Sequence, residues 1–126
     1  MIYEIKIGTP LITLNEYIKI ERGNRYAAAK KKKDITASVS KRVLFYGLSL
    51  PKDKKFDVHF IWIKPNNRAD HDNIAMAKKF VLDGIVKSGA LQNDSPKFIR
   101  NFTDKFILDR TQNFISCVVK FEVVND

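Results

Sequence analysis

The pattern of apolar and polar positions predicts a sheet of several strands. Apolar and charged residues alternate from Met1 to Ile7, and Gly8-Thr9-Pro10 is expected to end that strand. Phe56 to Ile63 has the same period, and its second half is apolar on both faces, which favours a central position in the sheet. Lys97 to Asp109 contains two strand-like patches, and Phe114 to Val124 closes the chain as a further alternating strand.

After the first strand the spacing of apolar residues changes from every second to about every fourth position, which predicts a helical region. Thr13 is followed three residues later by Glu16, which is the capping-box pattern of a helix start. The helix is expected to pause at Gly23-Asn24 and then to resume. In the second part, apolar residues recur at every fourth position and would pack on a core: Ile35, Val39 and Val43.

A second helix is predicted after the central strand, with Asp72 or Asn73 as its N-cap and Ser88-Gly89 as its end. It is apolar on nearly all sides, so we expect it to be buried. Lys79 and Asp83 would share one face with Asp72 and be partly buried, and such charges are normally paired or functional. Together the elements predict a single α/β (α+β) domain over residues 1–126, with one mixed sheet, a basic N-terminal helix and a central buried helix.

Composition narrows the class of protein. The net charge of +9 and the pI near 9.7 favour a polyanionic partner. The single cysteine, Cys117, cannot form an internal disulfide, so a reducing cytoplasm is expected. No stretch reaches the roughly 18 apolar residues of a membrane span, and the N-terminus lacks the layout of a signal peptide.

Most of the excess positive charge lies in one helical segment. Between Glu21 and Arg42 there are eight basic residues and two acidic ones. If nucleic acid binds, this helix would contact phosphates without reading sequence. The alternative is a merely solvated helix face. The basic residues predicted to bind DNA are Arg22, Arg25, Lys30, Lys31, Lys32, Lys33 and Arg68.

The candidate chemistry lies between the central strand and the buried helix. Asp70 and Asp72 would point the same way from an extended segment, and like charges this close repel unless a cation lies between them. Asp94, in a later loop, would complete a set of three carboxylates for one or two Mg²⁺ ions, with Lys79 stabilising charge on the attacked phosphate. The alternative is that Asp72 only caps the helix and Asp70 pairs with Arg68.

Other site chemistries are excluded by the sequence. Ile74 and Ala75 stand where an EF-hand loop needs an oxygen ligand and then a glycine. The chain has no Cys or His cluster with zinc spacing, no glycine-rich phosphate loop and no Ser-His-Asp set. A carboxylate cluster of this kind suits phosphoryl transfer with Mg²⁺, and the capping alternative stays open beside it.

The order of these features resembles the RusA-type Holliday junction resolvases. The ordered set is Asp70-His71-Asp72-Asn73, a helix carrying Lys79 and Asp83, Gly89, and then Asn93-Asp94. Leu14-Asn15-Glu16-Tyr17, followed by a basic helix, is similar to the start of that family, so the resemblance covers nearly the whole chain.

The resemblance implies a dimeric α/β endonuclease, often encoded by a phage or prophage, that nicks four-way DNA junctions with Mg²⁺, for which Mn²⁺ substitutes. It makes Asp70, Asp72 and Asp94 the metal ligands and Lys79 the essential lysine. The residues expected to surround them are Asn73, Asp83 and Asn93, and Asn15 is expected to contact DNA.

This chain departs from the family pattern at two points. Lys79 comes about one helical turn later than the family lysine, and Asn93-Asp94 stands where the family often has two aspartates. Two other functions stay open beside the resolvase. One is a non-catalytic DNA- or RNA-binding protein, and the other is a nuclease that prefers flaps, forks or RNA.

Overall fold

The computed structural model describes residues 1–125, and these form four strands and four helices. The elements are β1 (Ile2–Leu11), α1 (Leu14–Gly23), α2 (Arg25–Tyr46), β2 (Phe56–Lys64), α3 (His71–Ala75), α4 (Lys78–Lys87), β3 (Ile99–Leu108) and β4 (Ile115–Val123). Within residues 1–125, no helix is both long enough and apolar enough to cross a membrane.

The four strands form one mixed sheet in the order β1-β4-β2-β3. β4 is antiparallel to both β1 and β2, whereas β2 and β3 are parallel and are joined by the segment that contains α3 and α4. A mixed sheet with helices is the α+β fold that the sequence predicted. The central position predicted for β2 is also confirmed.

The core lies between one face of this sheet and helices α2 and α4. Alternate residues of β2 are almost wholly buried: Phe56, Val58, Phe60 and Trp62. The predicted stripe of α2 is buried in the same core, and Cys117 of β4 has no exposed surface. Burial raises the pKa of the Cys117 thiol, so this residue is an apolar core group without nucleophilic character.

Helices α2 and α4 approach each other closely at Gly84. A Cβ atom on Gly84 would lie 2.5 Å from Cβ of Val39 and 2.9 Å from the carbonyl oxygen of Thr36. Only a residue without a side chain fits between α4 and the backbone of α2 at this crossing. Gly84 therefore fixes how the two helices sit on the sheet.

The local signals of the N-terminal helices are confirmed. Thr13 and Glu16 form both hydrogen bonds of a capping box, and α1 ends at Gly23. Asn24 then starts α2, because its side-chain oxygen accepts hydrogen bonds from the backbone N–H groups of Tyr26 and Ala27.

The predicted end of the first strand is wrong. β1 continues through Gly8-Thr9-Pro10 to Leu11, with an irregularity in its pairing with β4 between Ile7 and Leu11. β1 is an edge strand, so the missing N–H of Pro10 interrupts no ladder on a second side. Proline at this position therefore ends neither the strand nor the sheet.

The predicted buried helix is present but is interrupted. Instead of one helix from Asp72 or Asn73, the backbone of Asp70 caps α3, and α4 begins only at Lys78. Between the two helices the backbone forms the shorter-range hydrogen bonds of a 3₁₀ turn. The N–H of Ala77, for example, donates to the carbonyl oxygen of Ile74, three residues earlier, at 3.1 Å. The helix ends where the sequence predicted, because Gly89 follows it with a φ of +87°, in the left-handed region that favours glycine.

Candidate nucleic-acid and metal site

A groove of about 350 Å³ lies where the start of α1 meets the end of β2 and the segment before α3. We call it the α1–α3 groove. Three residues that the sequence singled out line it together, although they are far apart in the chain: Asn15, Arg68 and Asn73. Lys64, Thr13 and Glu16 line it as well, so the groove offers several hydrogen-bond donors, two cationic side chains and one carboxylate.

Asp70 and Asp72 lie on the exposed segment beside this groove. Asp70 is the last extended residue before α3, and Asp72 is in the first turn of that helix. Within residues 1–125, neither carboxylate forms an ion pair, and the one hydrogen bond is from the backbone N–H of Asn73 to Oδ1 of Asp72 at 3.0 Å. The alternative interpretation, in which Asp70 pairs with Arg68 and Asp72 is the N-cap, is wrong.

Asp94 is held by Lys79. The Lys79 ammonium lies 3.1 Å from Oδ2 of Asp94 and 3.1 Å from Oδ1 of Asp83. Hydrogen bonds to Asp83 and then to Asp94 raise the pKa of Lys79 above its usual range. The Lys79 side chain is 60% exposed, so its expected partial burial is wrong, whereas Asp83, at 27%, is partly buried as predicted. The side chain reaches out from the first turn of α4 towards the loop that follows the helix.

The three predicted metal ligands are not gathered in one cluster. Among residues 1–125, no three His, Cys, Asp or Glu side chains are placed so that they could hold a metal ion. Asp70 and Asp72 remain a pair on one segment, whereas Asp94 is engaged with Lys79. Such a pair fits Mg²⁺ only if water and substrate phosphate oxygens fill the rest of its shell, which is how Mg²⁺ is commonly bound. The ligand roles of these carboxylates stay predictions.

Asn93 shapes the loop that carries Asp94. Its side-chain oxygen accepts a hydrogen bond from the backbone N–H of Ser95 at 2.9 Å, which forms a tight turn around Asp94. Asn93 therefore has a local structural role, and its predicted place beside a metal ligand depends on that of Asp94.

Sequence reasoning missed a buried lysine at the end of β2. Lys64 is 8% exposed, and its ammonium donates to Nε2 of His71 at 3.0 Å. The His71 ring in turn stacks on Phe106 of β3, with ring centroids 3.8 Å apart and planes 4° apart. These contacts hold the Asp70-His71-Asp72 segment against the sheet. The only sequence signal was a polar residue at the end of an apolar strand.

The neighbouring lysine, Lys78, faces the sheet instead of the loop. Its ammonium lies 2.9 Å from Oδ2 of Asp104 and 4.6 Å from the ring centre of Phe102. The indole N–H of Trp62 donates to the other oxygen of Asp104 at 2.8 Å. Lys78 therefore anchors α4 to the edge strand β3.

The basic residues of α1 and α2 that are predicted to bind DNA lie on the solvent side, as the sequence predicted. Arg22, Arg25 and the run Lys30 to Lys33 are all exposed. Lys30 pairs with Asp34 one turn later, at 3.1 Å. Such exposed ion pairs contribute little to stability, so this face is available to a polyanion. DNA contact by these residues stays a prediction.

Comparison with known proteins adds no relative. No protein-family model matches the chain, and no curated protein matches it. The resemblance to RusA-type resolvases thus rests on the ordered residues described above, and an activity inferred from it is a proposal.

Proposed function

We propose that the protein is a Mg²⁺-dependent, structure-selective endodeoxyribonuclease that resolves four-way DNA junctions by paired symmetric nicks. The observation that carries the proposal is the position of Asp70 and Asp72. In a chain of charge +9, two carboxylates without an ion-pair partner among residues 1–125 lie beside a groove lined by Arg68 and Lys64. Repulsion between the carboxylates favours a bound cation, and the basic groove favours a phosphate.

The side chains of the site have separate tasks in this proposal. Asn15, Arg68 and Asn73 donate hydrogen bonds to phosphate oxygens in the α1–α3 groove, and so hold the DNA backbone beside the carboxylates. Asp70 and Asp72 would hold a Mg²⁺ ion, which would supply an activated water and offset charge on the attacked phosphate.

Lys79 and Asp94 would join the site by exchanging ion-pair partners. The Lys79 side chain is largely exposed, so its ammonium is free to exchange a carboxylate for a phosphate oxygen. That exchange would release Asp94, the third predicted ligand. If Lys79 keeps its ion pair with Asp94, Asp70 and Asp72 are the two predicted ligands that can still bind a metal ion.

The choice of substrate rests on the resemblance of the sequence to the resolvases. A four-way junction has two-fold symmetry, and a homodimer would present two sites to two strands of like polarity. The same resemblance makes a bacterial cytoplasm the expected compartment, with a phage or prophage as the source of the chain. Mn²⁺ is expected to replace Mg²⁺.

A panel of branched substrates tests this proposal. Wild-type protein is incubated with a labelled four-way junction, a flap, a fork and a linear duplex of the same sequence, each with Mg²⁺ and with a chelator. The proposal expects paired nicks in the junction only, and only with metal. Preferential cleavage of the flap or fork would show that the protein is a structure-selective nuclease of another kind. No cleavage of any substrate would contradict the proposal that the protein is a nuclease.

A second candidate is a non-catalytic nucleic-acid-binding protein. It is favoured by two observations: Asp94 is paired with Lys79, and residues 1–125 contain no group of three potential metal ligands. The candidate predicts salt-sensitive binding that is indifferent both to Mg²⁺ and to Asp70→Asn. The nuclease predicts that metal and Asp70 are required for strand cleavage.

A further inference from the structure

A second groove, of about 330 Å³, lies between α1, α2 and α4, and we call it the three-helix groove. Tyr17 of α1 forms one wall, Lys32 and Lys33 of α2 form another, and Asp83 and Lys87 of α4 form the third. Lys87 lies outside the basic segment of the sequence, so only the fold brings it together with the lysines of α2.

The close crossing of α2 and α4 builds this groove. Gly84 meets Val39 and the backbone of Thr36 at the crossing. Lys87 lies one turn after Gly84 along α4, and Lys32 and Lys33 lie one turn before Thr36 along α2. The helix crossing therefore fixes the backbone positions from which these lysines border the groove.

Tyr17 closes the groove from the side of α1. Its ring packs on Phe80 of α4 with centroids 5.6 Å apart and planes at 56°. Phe80 is buried, so the Tyr17 ring is held on a fixed core residue. The groove thus has one wall fixed by packing and two walls that carry flexible lysines.

The charge in this groove is unbalanced. Within residues 1–125, Lys32, Lys33 and Lys87 form no ion pair or hydrogen bond, in contrast to Lys30, which pairs with Asp34. Asp83 is the acidic residue in the lining; it shares the Lys79 ammonium with Asp94, so the three lysines outnumber the one carboxylate of the groove. Three ammonium groups are therefore left to attract an anion.

We propose that the three-helix groove binds the phosphodiester backbone of a nucleic acid through Lys32, Lys33 and Lys87. The inference rests on the proposed function and deepens it, since it names a path for the strand outside the α1–α3 groove. This path passes Asp83, which Lys79 bridges to Asp94, so a backbone seated here lies next to the lysine predicted to act on the phosphate. Lys87 is the new element of this path.

Salt-dependent binding tests the groove. The triple variant Lys32→Gln/Lys33→Gln/Lys87→Gln is compared with a control of equal charge, Lys52→Gln/Lys54→Gln/Lys105→Gln, whose lysines lie on the loop before β2 and on β3. The dissociation constant of a fluorescent four-way junction is measured over a series of salt concentrations without divalent metal. Thermal melting checks that each variant folds. A separate arm adds inorganic phosphate at constant ionic strength.

The logarithm of the association constant falls linearly with the logarithm of the salt concentration. For the groove variant this slope is expected to be less steep by about 0.9 for each phosphate contact removed. At about 0.1 M salt this is about fivefold to tenfold weaker binding per lysine. The control is expected to lose much less, and inorganic phosphate is expected not to displace the DNA. Equal losses in the groove variant and the control would overturn the inference, and so would displacement of DNA by phosphate alone.

The outcome separates this inference from the proposed function. If wild-type protein neither binds nor nicks DNA, the proposed function fails and the groove fails with it. If wild-type protein nicks the junction and the groove variant keeps the affinity of the control, only the groove is contradicted. If the groove variant binds the junction more weakly than the control and its nicking still requires Mg²⁺, the result supports both the groove and the proposed function.

Discussion

The ammonium of Lys79 joins Asp83 and Asp94, with 3.1 Å to an oxygen of each. Asp83 lies one turn further along α4, but Asp94 is fifteen residues away, in the loop beyond the helix. One exposed cation thus ties the loop that carries a predicted metal ligand to the helix beside it. Its energetic effect can be measured separately from any activity.

The Lys79 bridge predicts a specific dependence of stability on pH. The two carboxylates raise the pKa of Lys79 in the folded chain above the ordinary value of 10.5. Stability from this shift is therefore fully present below about pH 10 and is lost as the pH rises through the higher folded pKa. Because the side chain is exposed, the contribution is below about 1 kcal/mol. Urea unfolding of wild type and of Lys79→Met across alkaline pH measures it.

The matched control for that series is Lys52→Met, which removes an exposed lysine in the loop before β2. The difference in free energy of unfolding between wild type and Lys79→Met should be constant near neutral pH and shrink above about pH 10. The difference for Lys52→Met is the reference with which this change is compared. A Lys79 difference that grows with alkaline pH would contradict the account of the bridge.

His71 is predicted to stabilise the fold through Lys64. His71→Phe keeps an aromatic ring over Phe106 but leaves the buried Lys64 ammonium without the ring nitrogen that accepts its hydrogen bond. Loss of a partner for a buried polar group costs about 1–3 kcal/mol. Denaturant unfolding of His71→Phe and of the double variant His71→Phe/Lys64→Met tests this. The double variant should regain part of the loss, and no regain would show that Lys64 does not depend on His71.

Gly84→Ala is predicted to destabilise the protein, although alanine favours a helix. The new methyl group would lie 2.5 Å from Cβ of Val39 and 2.9 Å from the carbonyl of Thr36. Overpacking costs about 1–3 kcal/mol, and an overlap as close as 2.5 Å places the cost in the upper part of this range, above the gain of about 1 kcal/mol in helix propensity. Gly23→Ala is the control, since a Cβ there meets nothing within 4 Å. A Gly84→Ala variant as stable as Gly23→Ala would show that α2 and α4 are not in such close contact.

The sequence predicted the features that depend on neighbouring residues. The capping box of Thr13 and Glu16 was predictable because both partners lie within one turn. The pause at Asn24 and the buried stripe of α2 follow from short-range side-chain chemistry and from the helical period. The alternation in β2 predicted its buried face for the same reason.

Features that depend on distant parts of the chain could not be predicted. The pairing of Lys79 with Asp94 follows from the return of the chain after α4, and no spacing rule encodes it. The extension of β1 through Pro10 depends on its place at the sheet edge, which only the topology fixes. The burial of Lys64 beside His71 likewise depends on how α3 docks against β3.

The central claim is that Asp70 and Asp72 together bind the metal that drives strand cleavage. Its most direct test is the initial nicking rate of a four-way junction with saturating Mg²⁺, for wild type and Asp70→Asn/Asp72→Asn, with Asp53→Asn as a control in which a carboxylate outside the site is removed. Neither carboxylate forms an ion pair within residues 1–125, so stability should change by less than about 0.5 kcal/mol. We predict a rate at least about a hundredfold lower in the double variant and a wild-type rate in the control. A double variant that nicks as fast as wild type would contradict the claim.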